Sequence, residues 1–408
     1  EFIMSDCIFT NCRGNVGASV FIKDCTMNLT FKNLTFKDTT NNYIQNNGQN
    51  RGYIFRIDRI NLGTEVLHTT VDLINCSFKN LITNGQNCGG YGMTAKKKYG
   101  DNANLYSYEL TIKNTIFENI YFTHDKYGGG AISLSHEINE NRHTQLSLCD
   151  CTFSNISCKN GGGGAIYFNT PSQKLTIERT KFKNIGADNV DFGGCIYVKY
   201  ESDPMPIIIK DCSFENTTSK EGGAIYIDWN LNSQSLISIE GCTFYKTSSK
   251  SNGHSIVVSN SKSNEVLISN CTFIDCGFNF SSSVVIDACM LNFTYNSIDF
   301  SECKQSCGCL ELRQIQRHAI FGNTFRNSKS VNNSFVTGIN FVSIQDNFSL
   351  AIVNNTFDNI GGTCICLQAS SQNGLTFRNN TIKNIEEGEN LIKFVFHCES
   401  DLFVVESC

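Results

Sequence analysis

The sequence predicts an all-β chain, a right-handed parallel β-helix (a solenoid) of about thirteen coils. Three observations predict it. A five-residue motif centred on an aromatic recurs, with spacings of 25 to 32 residues from Phe153 onward. An alternating apolar stretch precedes each motif. A glycine-led stretch follows most of them, and no helical period runs between.

The thirteen units read CIFTN (7–11), LTFKD (34–38), CSFKN (76–80), TIFEN (115–119), CTFSN (151–155), TKFKN (180–184), CSFEN (212–216), CTFYK (242–246), CTFID (271–275), IDFSE (298–302), NTFRN (323–327), NTFDN (355–359) and NTIKN (380–384). The preceding strands include LTIKN (110–114), IIIKD (207–211) and ISIEG (237–241). The following strands include GGAISL (129–134), GGAIYF (163–168), GGCIYV (193–198) and GGAIYI (222–227), with degraded forms later. Two or three short strands per ~30 residues exclude βαβ units, and an immunoglobulin array needs ~100 residues per module. One coil per repeat satisfies the spacing, with each strand pairing its equivalent in the next coil ~4.8 Å away. Parallel crossovers default to the right hand. Residues 1–408 read as a single β-helix domain cut from a longer chain. Coils over 1–128 are looser and loop-rich, those over 129–290 the most regular, and those over 291–408 degraded.

Side-chain alternation assigns the phases. The motif aromatic points inward, as does the Cys, Thr or Asn two residues earlier. Two residues after the aromatic stands Asn in most units, among them Asn80, Asn119, Asn155, Asn184, Asn216, Asn327, Asn359 and Asn384. At a strand corner Asn tolerates unusual backbone angles. Stacked coil on coil, the amides form a structural ladder. The paired glycines read as corner residues that supply positive φ, not as a ligand-cradling loop.

The bulk numbers narrow the function classes. The net charge is −5 and charged residues are 17%, so no basic field invites nucleic acid. Twenty-one cysteines and twelve Asn-x-Ser/Thr acceptors point to an extracellular or cell-surface glycoprotein. Asn75, Asn270, Asn354 and Asn379 fall three residues before the aromatic, on the outward phase, and are the better glycosylation candidates; Asn279 and Asn292 join them. Asn155 and Asn216 sit in the ladder and are expected to be poor acceptors. No apolar run reaches the ~20 residues of a membrane span.

Equivalent residues in adjacent coils lie within disulfide range. Cys276 and Cys303 each follow their motif aromatic by three, in neighbouring units, and are the best disulfide pair. Cys212, Cys242 and Cys271 form an inward column, of which one pair at most bonds. Alternation also allows Cys149 to join Cys151 inside. No spaced cysteine pairs suit zinc, and no metal or cofactor is expected. The seven histidines are scattered; His254, in NGHS, has no paired aspartates beside it.

The GGAI segments at 129–132, 163–166 and 222–225, with GGCI at 193–196 and the aromatic–Asn units between, resemble the polymorphic outer-membrane protein repeat, which pairs GGAI with FxxN. Those proteins are surface adhesins of chlamydiae, also predicted in parasitic protists. Here Asn follows Phe by two instead of three, so the likeness is one of design. It implies a surface-exposed, adhesive or antigenic β-helix. The architecture is also that of pectate lyases, which makes polysaccharide cleavage the competing expectation. Such a site needs two or three carboxylates at one phase in consecutive coils. No such column is evident, and Asp188 and Asp191 share a loop without a partner in the next coil. The expectation is therefore a non-enzymatic rod acting in adhesion or in an extracellular filament. Its partners are other protein chains or host or cell-surface glycans, with end-to-end self-assembly as a variant.

Overall fold

The computed structural model describes residues 1–14, 17–23, 27–42, 53–60, 67–84, 89–96, 106–122, 129–136, 142–158, 161–169, 173–186, 190–200, 206–229, 235–277, 281–301, 308–313, 315–328, 336–342, 344–369, 374–384, 392–396 and 403–406. Among them there is no helix. The chain is a parallel β-helix with three strand faces per coil. The first face carries the alternating strands, such as Gln173–Glu178 and Ile207–Lys210, which pair Ile177 with Ile209. The second carries the aromatic motifs, such as Lys181–Gly186 and Ser213–Glu221, which pair Phe182 with Phe214. The third carries the glycine-led strands, such as Ile196–Tyr200 and Ile225–Trp229, which pair Ile196 with Ile225.

The corners explain the sequence pattern. Every non-glycine residue with positive φ among the described residues falls in one of two columns. One lies three residues before the motif aromatic and includes Asn75, Asp150, Asn270 and Asn354; the other lies two residues after it and includes Asn80, Asn155, Asn216 and Asn359. Asn and Asp dominate both because their short polar side chains tolerate the left-handed region best after glycine. The third corner uses glycine. Gly222 has φ +63°, and a Cβ on Gly223 would sit 2.1 Å from the His254 carbonyl oxygen of the next coil. Only glycine allows that approach. Ala224, Ala165 and Cys195 follow these corners, fully buried.

Inside, the motif rings form one stack. Phe36, Phe78, Phe117, Phe153, Phe182, Phe214, Phe244 and Phe273 follow one another with centroids 4.7–4.9 Å apart and ring planes within 15° of parallel. That spacing is the parallel-strand spacing, so the coil rise sets the aromatic contact.

The tenth unit corrects the sequence alignment. Phe273 pairs with Ile298, and Ile298 with Phe325. Phe300, the expected motif aromatic, instead stands in the column of the outer Asn ladder, though its side chain is fully buried. Alternation cannot separate two inward positions two residues apart. The choice falls to the inward position two residues before the ring, next to the corner, which Asn296 fills in register with Asn323. The loop-rich coils over 1–128 also carry third-face strands: Tyr53–Ile60 pairs with Gly89–Lys96.

A buried polar column runs beside the rings, two residues before each. Cys212, Cys242 and Cys271 each donate a thiol hydrogen bond to a carbonyl of the adjacent first-face strand, Ile177, Ile209 and Ile239, at 3.6, 3.7 and 3.5 Å. From Asn296 the column becomes an amide ladder. Nδ2 of Asn296, Asn323 and Asn355 donates to Oδ1 of the next member at 3.1, 2.9 and 3.0 Å, ending on Asn380. The same oxygens accept the backbone N–H of the preceding member. The column thus satisfies backbone groups that the corner takes out of the sheet.

Candidate functional site: the outward columns

With the interior filled, chemistry directed at a partner lies on the outside. On the second face, the position before the ring is hydroxylic for seven coils in a row. Ser213, Thr243, Thr272, Ser297, Thr324, Thr356 and Thr381 are linked in unbroken register. The position after the ring carries charges that pair across coils: Lys79 with Glu118 at 3.1 Å and Lys183 with Glu215 at 2.9 Å. Exposed pairs of this kind stabilise by ~0–1 kcal/mol, and their larger effect is to neutralise the face.

Beside these rows runs the outer Asn ladder. Asn80 Nδ2 donates to Asp38 at 2.9 Å. Asn119 donates to Asn80, Asn155 to Asn119 and Asn184 to Asn155, each at 3.0 Å, and Asn216 to Asn184 at 3.2 Å. Lys246, Asp275 and Phe300 then occupy the column. It resumes with Asn327 donating to Asp299, Asn359 to Asn327 and Asn384 to Asp358, at 2.8, 2.8 and 2.7 Å. Most of these amides are exposed.

A second apolar cluster sits outside the third face. Tyr167, Tyr197, Tyr226, Val257 and Val285 stack in the outward phase, yet are at most 8% exposed. Phe192 packs on Tyr197 and Tyr226, with centroids 5.4 and 4.7 Å away. Gly162 leaves the space that the Tyr197 ring fills. Burial pushes the Tyr226 hydroxyl up to about 12. Two residues along the same strands runs a mixed column in which Asp228, Ser259 and Asp287 follow one another. Asp287 Oδ1 is buried without a hydrogen-bond partner. Arg313 follows Asp287 in this column, and its Nε donates at 2.8 Å to Glu311, which follows Val285 in the tyrosine row.

Residues 227–399 match the family model described as right handed beta helix region. No curated protein and no solved structure matches the chain. The chain is a parallel β-helix by its strand order and register, and a right-handed one by the family match, which falls on its C-terminal coils.

In this β-helix the fourteen cysteines of the described residues that can be assigned are free thiols. Cys276 is fully buried and donates to the carbonyls of Phe244 and Ile274 at 3.3 and 3.4 Å. Cys303 lies outside the described residues. The register, counted on from the Ile274–Asp299 pair, sets Ser301 opposite Cys276, so the pairing inferred from motif spacing loses its basis with the shift of the tenth unit. Cys149 does not join Cys151 inside. The positive φ of Asp150 resets the alternation between them, and Cys149 faces out, 2.6 Å from Nη2 of Arg179. Burial pushes the Cys151 thiol up to about 11 and those of Cys158 and Cys364 to about 12.

The glycosylation candidates Asn75, Asn270, Asn354 and Asn379 are exposed at the first corner. Asn292 is half-buried and donates to Glu265 at 3.0 Å. Asn279 lies outside the described residues. The four corner acceptors share an origin: the corner supplies Asn, and the outward strand position two residues on supplies Ser77, Thr272, Thr356 or Thr381. The architecture by itself therefore generates the acceptor sequence. His254 is buried, its Nδ1 accepting the Ser249 N–H at 3.1 Å. Asp188 lies outside the described residues, and Asp191 stands 4.0 Å from Lys220. No group of three metal-ligating side chains occurs among the described residues.

Three features escaped the sequence reading. The inner amide ladder was signalled by Asn opening three successive motifs, NTFRN, NTFDN and NTIKN. The tyrosine row was signalled by IY recurring after three glycine pairs. The corner residue Tyr295 had no signal, because its place follows from the register that puts Ile298 in the ring column.

Proposed function

We propose that this chain is a non-enzymatic β-helical rod that presents its outward columns to an extended partner, as an adhesive surface protein or a component of an extracellular filament. The observation that supports it is the unbroken register of outward columns along thirteen coils, with a hydroxyl row over seven of them and charges paired among themselves. Such a surface suits a long partner better than a small substrate. Placement outside the cell rests on the likeness of the repeat to surface β-helices; the described cysteines have structural roles, and the corner acceptors follow from the corner geometry. The design resembles that of the polymorphic outer-membrane protein repeat, whose adhesive role points the same way. Partners are protein chains or surface glycans, and end-to-end joining is the filament variant.

The test is binding of the purified chain to cell surfaces before and after glycosidase or protease treatment. Replacing Thr272, Thr324 and Thr356 together by Lys is expected to abolish binding at unchanged Tm. Unchanged binding would sink the reading. Sedimentation over a concentration series reads end-to-end joining.

A second reading, polysaccharide cleavage, is supported by Asp228 and Asp287 beside the tyrosine row. Two coil steps put their Cα atoms about 10 Å apart, within side-chain reach of the ~6.5–9.5 Å that separates the two carboxyl groups of inverting glycosidases. Reducing-end release from neutral and acidic polysaccharides, abolished in Asp287→Asn, would establish it.

A further inference from the structure

Tyr295 occupies a position that the rest of its column assigns to residues tolerant of positive φ. Its own φ is +55°, where neighbouring coils place Asn270, Gly322 and Asn354. A bulky side chain in this region is an outlier, with a cost on the order of 1 kcal/mol or more. The ring is 58% exposed, so burial does not repay that cost. It is nonetheless held in place. A Cβ on Gly322 would sit 2.8 and 2.9 Å from Cδ1 and Cε1 of the ring, so this edge of the tyrosine occupies the space that the bare glycine leaves. Phe321 meets it edge-on, with centroids 5.3 Å apart and planes at 84°.

The setting is uncharged. In earlier coils the corner and its first-face neighbour carry charge, as Lys210–Asp211 and Glu178–Arg179 do. Around Tyr295 those positions are Ser269–Asn270, Thr294, Phe321–Gly322 and Val353–Asn354, and the hydroxyl row flanks them. An exposed, immobilised aromatic face ringed by neutral hydroxyls and amides has the chemistry that stacks on the apolar face of a sugar ring and hydrogen-bonds its rim.

We propose that the Tyr295 face is a stacking subsite for one neutral pyranose ring. It deepens the surface-binding reading and rests on it, by naming one contact and its ligand class. The sugar ring has two sources: an external neutral glycan, or an N-glycan of this chain on Asn270 or Asn354 at the same corner.

The experiment is affinity electrophoresis in gels containing neutral polysaccharides (a mixed-linkage glucan, a xylan and a galactomannan), with the melting temperature measured alongside. The bacterially produced chain, which carries no N-glycans, is expected to be retarded by at least one of them. Tyr295→Asn, which installs the column's usual corner residue, is expected to lose retardation at least tenfold while its melting temperature holds or rises. Tyr295→Phe keeps the ring and is expected to retain most of the effect. The chain from an N-glycosylating host separates the sources. Retardation lost there and restored by Asn270→Gln with Asn354→Gln assigns the subsite to the chain's own glycan; retardation kept assigns it to an external one. Absence of retardation of the bacterial chain by every polysaccharide overturns the proposal. So does a Tyr295→Asn variant that melts lower yet is retarded as before, because the ring is then only a packing element. Cell-surface binding that survives Tyr295→Asn leaves the broader reading standing and removes this subsite alone.

Discussion

Asn323 and Asn355 are 32 residues apart and share a hydrogen bond at 2.9 Å in the core, Nδ2 of the first to Oδ1 of the second. The Asn323 backbone N–H donates to the same oxygen, also at 2.9 Å. Asn355→Ala removes the acceptor for both and leaves two buried donors unpaired. The expected loss is about 2–4 kcal/mol in urea unfolding. A loss below ~1 kcal/mol would show that water replaces the amide.

His318 stands in the inward column between Leu291 and Leu350, with neither ring nitrogen hydrogen-bonded. Burial holds its pKa down to about 3, against ~6.5 for an unfolded histidine. Between those values the unfolded chain binds the proton and the folded chain does not. Stability is therefore expected to fall as pH drops from about 6.5 towards 3, by up to ~5 kcal/mol. His318→Leu is expected to flatten that part of the stability–pH curve. A curve of unchanged slope in the variant would assign the acid sensitivity elsewhere.

Gly223 and Gly374 make a matched pair. A Cβ at residue 223 meets two carbonyl oxygens, of His254 and Ser248, at 2.1 and 2.4 Å, whereas one at residue 374 meets nothing within 4 Å. Gly223→Ala is expected to cost more than ~3 kcal/mol or to prevent folding. Gly374→Ala is expected to be neutral or stabilising by up to ~1 kcal/mol. Equal melting temperatures for the two variants would contradict the corner geometry.

Cys212, Cys242 and Cys271 share their column with Thr115 and Thr180, whose hydroxyls also donate to carbonyls. Cys212→Thr is expected to stay within ~1 kcal/mol of the parent in thermal unfolding. A thiol reagent at pH 8 is expected to leave these buried groups unmodified until the chain unfolds. Recovery of a disulfide-linked peptide containing any of the three from the unreduced native protein would contradict the free thiols.

The glycine pairs, the motif rings and the corner asparagines told which residues face inward and how many coils there are. These follow from period-two alternation and from the few residue types that accept a left-handed corner, both local properties of the chain. What stands opposite what was decided by the tertiary structure. Ile298 entered the ring stack and Phe300 stood aside because Asn296 had an amide partner in the next coil. Cys276 lost its expected partner for the same reason. Cys149 turned outward because one positive φ at Asp150 reset the alternation. The exposure of Tyr295 and the burial of Tyr197, both outward in phase, depend on whether a neighbouring segment covers them. Alternation repeats every two residues and cannot tell a position from the next of the same phase; only the adjacent coil, 25 or more residues away in sequence, supplies the contacts that choose between them.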